Sequence, residues 1–93
     1  MDEATKNIVN DFIQYLIQEM QKHKEFKHVQ IGKWSIDNFD VTIRFFMDEK
    51  MGQMHFDIRE LKENRDRFSH LMGNAFDQMN QKITESAHNS EFY

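Results

Sequence analysis

The sequence predicts an α+β domain of order α-β-β-β-α, a three-stranded antiparallel meander with two helices packed on one face. Three observations carry this. Apolar residues recur at spacings of three and four towards both ends of the chain, the middle third alternates apolar and polar residues in three short runs, and turn-like stretches (Asp37-Asn38 and DEKMG, 48–52) separate those runs. The 93 residues suit one domain near the lower limit of what folds without a staple, so its core must be well filled; nine Phe and seven Met supply the volume. We place the domain at residues 1–87 and a frayed tail at 88–93, whose Phe92 and Tyr93 are free to dock elsewhere.

Over residues 3–26, Ile8, Val9, Phe12, Ile13, Leu16 and Met20 fall on one face of a helix. Asp2 is placed to cap its free amides, and Lys22, Lys24 and Lys27 lie near its end, where cations suit the macrodipole. The opposite face (Asn7, Asn10, Gln14, Gln18, Gln21) is neutral amide rather than basic, which suits a core-packing helix and not a membrane-surface one. Strands are expected at 28–36, 39–47 and 53–61, all rich in β-branched and aromatic residues, with Gly52 closing the second turn at positive φ. The last helix is expected from about Asn64, as its cap, to Ser86, with Phe68, Leu71, Met72, Ala75, Phe76, Met79 and Ile83 as its apolar stripe.

Keeping the apolar set on one side lets the second hairpin slip only in steps of two. Pairing Met47 with Met54 sets Phe45 opposite Phe56 and Ile43 opposite Ile58 inside, and Arg44 opposite Asp57, Phe46 opposite His55 and Thr42 opposite Arg59 outside. A slip that puts Arg44 against Arg59 is disfavoured as a like-charge pair. In the first hairpin a turn at Asp37-Asn38 pairs Ile36 with Phe39 and Trp34 with Val41, both inside. Two arrangements remain beyond Trp34. An unbroken strand exposes Val29 and Ile31 beside Phe46, whereas a bulge at Gly32 turns them inward. Either way Phe46 falls on the polar face, and Arg44, Phe46, His55, Asp57 and Arg59 form the candidate partner-binding set.

Composition narrows the chemistry. There is no cysteine, which excludes disulfides, cysteine zinc sites and thiol nucleophiles. No apolar run approaches the roughly 20 residues of a membrane span, and the opening MDEATKN is acidic where a secretory signal is basic, so a cytoplasmic location without membrane association is expected. The net charge of −4 is spread evenly, with no basic arm for a phosphate backbone. His55 and Asp57 share a strand face, but a metal site needs three or four convergent donors and no third has a recognisable spacing. Ser69-His70 lacks an acid, and glycines at 32, 52 and 73 make no phosphate cradle. No enzymatic activity, metal or cofactor is therefore expected.

The element order resembles that of double-stranded RNA-binding domains. At the second helix, however, KENRDR interleaves Lys62, Arg65 and Arg67 with Glu63 and Asp66 where that family presents a lysine cluster. The first turn, IDNFD, is acidic where the family offers a His-bearing Gly-Pro-rich loop. The layout is also similar to that of small phage-encoded inhibitors, anti-CRISPR proteins among them, in element order and chain length. By elimination, the chain is expected to act by binding another macromolecule, as a protein inhibitor or regulator of the kind phages and mobile elements carry. A nucleic-acid-binding module and a structural homodimer are the alternatives.

Overall fold

A computed structural model describes the backbone of residues 2–48 and 50–90, with side chains as far as residue 81. It has helix α1 (Glu3–Met20), strands β1 (Val29–Asp37), β2 (Asp40–Met47) and β3 (Lys50–Asp57), a short helix α2 (Ile58–Glu63) and a long one, α3 (Met72–Ser90). The strands form one antiparallel sheet in the order β1-β2-β3. The α+β meander expected from the sequence is therefore the observed fold, with its second helical region in two pieces. Ile83 and the tail residues Phe92 and Tyr93 fall outside the described side chains.

Asp2 caps α1, its Oδ1 accepting from the Thr5 N–H at 2.7 Å. The stripe from Ile8 to Met20 is buried as expected. Phe12 is the hub, with ring edges meeting Phe56 of β3 at 4.9 Å and Phe68 at 5.3 Å. The amide face of α1 is not wholly idle, since Asn10 Oδ1 accepts from the indole N–H of Trp34, at 3.2 Å, and Trp34 of β1 is half-buried against the core. A second aromatic group forms where a 3-10 turn at Lys24–Phe26 meets α3: Phe26 stacks on Phe76 at 4.9 Å and His23 lies 4.7 Å from the same ring.

Strand β1 carries the bulge. Pairing runs Asp37–Asp40, Ile36–Val41, Ser35–Thr42 and Trp34–Ile43, then shifts so that Ile31 meets Phe45, Gln30 meets Phe46 and Val29 meets Met47. Gly32 and Lys33 together face Arg44, and the extra residue turns Val29 into the core. A Cβ at Gly32 would stand 2.5 Å from the Phe46 ring. Phe46 therefore lies on the polar face because its ring covers the bulged backbone that only glycine leaves open. Phe39 does not pair inside with Ile36. It sits in the turn with Asn38, which takes the positive φ of 57°, and it is exposed.

The second hairpin departs from the expected register by four residues. Met47 pairs with Lys50, Phe45 with Gly52, Ile43 with Met54 and Val41 with Phe56. Sidedness survives, because four is an even slip. Two features favour the tighter turn. Asp48 adopts the positive φ (57°) expected of Gly52, whose own φ is not positive. Gly52 instead lies beneath Phe45, where a Cβ would overlap the aromatic ring. A register that put any other residue there would displace a buried phenylalanine.

Shortening the turn releases Ile58–Glu63 from the expected strand into α2. Asp57 caps it, accepting from the Arg59 N–H at 2.8 Å, and the Ile58 N–H donates to the Phe39 carbonyl at 2.8 Å. Asn64 closes this helix instead of opening the next: its backbone and side-chain N–H groups both donate to Glu60 O, at 3.0 and 2.9 Å. A 3-10 turn at Phe68–Leu71 then buries both of those side chains and leads into α3, whose Met72, Ala75 and Met79 join the core.

The pairing of Phe45 with Gly52 yields a direct test. Gly52→Ala is expected to cost about 1 to 3 kcal/mol, the range for overpacking a filled site. Adding Phe45→Leu should make the double variant less destabilised than the sum of the single ones in urea melts. Strict additivity would place the ring elsewhere.

Candidate partner-binding surface

With the helices on one face, cross-strand pairing sorts the other face into four rows. From the first turn outward they are Asp37–Asp40–Asp57, Ser35–Thr42–His55, Lys33 with Gly32–Arg44–Gln53, and Gln30–Phe46–Met51. The face is thus graded along the strands: acidic, then hydroxyl and imidazole, then basic, then apolar.

The acidic row is a like-charge arrangement in which each pair of aspartates would destabilise the sheet if left alone. Two of the three carboxylates have local partners. Asp40 Oδ2 lies 3.1 Å from His55 Nδ1 and accepts from the Thr42 hydroxyl at 3.3 Å. Asp57 binds the Arg59 guanidinium through both oxygens, at 2.9 and 2.6 Å. Hydrogen bonds from the Arg59 side chain, and next from its backbone N–H, hold the Asp57 carboxyl well below the usual carboxylate range, at about 2; the same pairing raises the pKa of Arg59. The guanidinium also lies 4.0 Å from the centre of the Phe39 ring. Arg59, expected on a strand opposite Thr42, is in fact in the first turn of α2 and returns to the sheet end through these contacts.

The five candidate residues therefore divide. His55, Asp57 and Arg59 gather at the first-turn end, where His55 and Asp57, with Asp37, Asp40 and Phe39, border an open cleft of about 410 Å³. Arg44 stands in the basic row beside the bulge, and Phe46 lies beyond it. Phe46 is not opposite His55 but opposite Met51, and the two are 39% and 53% exposed; Phe39, at 53%, is the other large exposed apolar side chain among the described residues. Sequence reasoning missed Met51 because the expected register placed it in the turn. Asp57-x-x-Glu60, an acidic cap followed three residues later by Glu, is the signal that would have placed α2 and with it Arg59.

The free edge of β3 is closed by α3. The Gln78 amide accepts from the His55 N–H at 2.7 Å and donates to the His55 carbonyl at 2.9 Å, occupying the groups another strand would use. Among the described residues no group of three or more His, Asp or Glu is placed to hold a metal ion, and no helix is long and apolar enough to cross a membrane. No family model matches the chain, and neither a curated protein nor a solved structure matches it.

The Asp57–Arg59 pair has a pH signature. Its folded pKa is depressed, so its contribution to stability is complete above the unfolded value of about 4 and is lost as pH falls towards about 2. In a carboxyl-carbon NMR titration of the folded chain, Asp57 should titrate at about 2, and Arg59→Gln should move the midpoint upward. An ordinary midpoint in the wild-type chain would contradict the bidentate pair.

Proposed function

We propose that the chain is a small non-enzymatic regulator or inhibitor that acts in the cytoplasm by binding another protein through the outer face of its sheet. One observation carries this reading: Phe46 and Met51 stand exposed and directly opposite each other on that face, next to the row that holds Arg44. Exposed aromatic and sulfur side chains beside an arginine are the composition of an energetic anchor in protein interfaces. The acidic row further along the same face disfavours a nucleic-acid backbone as the ligand. The element order shared with small phage-encoded inhibitors is in keeping with such a role and adds no residue to it.

The test is affinity capture from the native host with wild-type chain and with Arg44→Ala/Phe46→Ala. The double variant is expected to keep the wild-type circular dichroism spectrum and to bind the captured protein at least about a hundredfold more weakly. Wild-type affinity in the double variant would move the binding surface off this face. Capture of RNA, weakening steeply with salt, would replace the reading with the nucleic-acid one.

A further inference from the structure

The grading of the outer face has a symmetry of its own. Taking the Ser35–Thr42–His55 row as a centre, the acidic row lies two residues to one side and the basic row two residues to the other, each about 6.7 Å away. Two residues further on each side come the apolar row, with Phe46 and Met51, and the first turn, with Phe39 under Arg59. A half-turn about an axis lying in the face, along the central row, exchanges acid with base and one apolar end with the other.

We infer that this face is self-complementary and closes on a second copy of the chain, related by that two-fold axis. Asp40 of each copy then meets Arg44 of the other, and Asp37 meets Lys33. All four side chains are exposed, and neither Lys33 nor Arg44 has an ion pair among the described residues. The alternative half-turn, about an axis along the strands, sets Asp40 on Asp40 and Arg44 on Arg44, and like charges exclude it. Such a contact is isologous, so it stops at two copies. Four rows by three strands span roughly 27 by 14 Å, below the roughly 800 Å² per partner of a stable complex, so the dimer is transient and dissociates readily. The inference builds on the proposed function by naming a competitor for the same face: the dimer masks it, and the monomer is the form that binds another protein.

Sedimentation equilibrium across the micromolar-to-millimolar range provides the test. Wild-type chain is expected to show a reversible monomer–dimer equilibrium that weakens about tenfold or more from low to high salt. Asp40→Arg and Arg44→Asp should each stay monomeric alone and associate one-to-one when mixed, and the double swap in one chain should restore self-association. If loss of the His55 and Thr42 contacts unfolds Asp40→Arg, the pair Asp37→Lys and Lys33→Asp poses the same question. A wild-type chain that is monomeric throughout, single variants that dimerise as wild type does, or a mixture that fails to associate would each overturn the inference. A monomeric chain whose captured partner is lost on Arg44→Ala/Phe46→Ala overturns the dimer and leaves the proposed function standing. A dimer that obeys the charge swaps while the double variant still captures its partner does the reverse.

Discussion

The close approach of the Phe45 ring to Gly52 is the contact on which the rest of the sheet depends. Phe45 is buried in the centre of β2, and the strand beside it must offer a residue without a Cβ at that point. Of the residues in β3 only Gly52 does so. Once the two are opposed, the rest of the pairing follows residue by residue, Met47 comes to pair with Lys50, and the strand ends early enough for Asp57 to cap α2. The order of the outer rows is a consequence of this one packing constraint, since a slip of two or four residues would keep the core apolar but shuffle the charges outside.

The same register shows how far a local charge rule can mislead. It places Asp40 directly opposite Asp57, a pairing that cross-strand electrostatics disfavours. Relief comes from outside the pair, from Arg59 in α2 and from His55 one row along. The edges are managed as economically. Gln78 occupies the β3 edge at His55, while on β1 the bulge, with Lys33 in it, interrupts the row of backbone groups that another strand would need. With both edges defended, the outer face is the sheet surface left for recognition.

Much of this fold is legible in the sequence because it is written as periodicity. The buried stripe of α1, the inward positions Val41, Ile43, Phe45, Met54 and Phe56, and the core residues Phe68, Met72 and Met79 all follow from spacing. What spacing leaves undetermined is anything that depends on the shape of one residue against another. The register turned on the space above Gly52, and the bulge on the space beneath Phe46, neither of which a hydrophobic pattern encodes. The break at Asn64 depended on a side-chain amide competing for a helix carbonyl. Arg44, Phe46, His55 and Asp57 therefore lie on the outer face of the sheet but beside other neighbours than expected, and Arg59 lies in α2 instead of on a strand.

Hα–Hα contacts across β2 and β3 are the most direct measurement of this account. The amide and carbonyl of His55 point away from β2 to Gln78, so the Thr42–His55 pair is of the non-hydrogen-bonded kind and, by alternation, so is Arg44–Gln53. Such pairs bring Cα atoms to about 4.5 Å, close enough for a strong nuclear Overhauser effect. A strong Arg44–Gln53 cross-peak together with one between Phe46 and Met51 is the predicted result. Cross-peaks from Arg44 to Asp57 and from Phe46 to His55 would contradict it, because they would return the sheet to the longer turn and dissolve the graded rows.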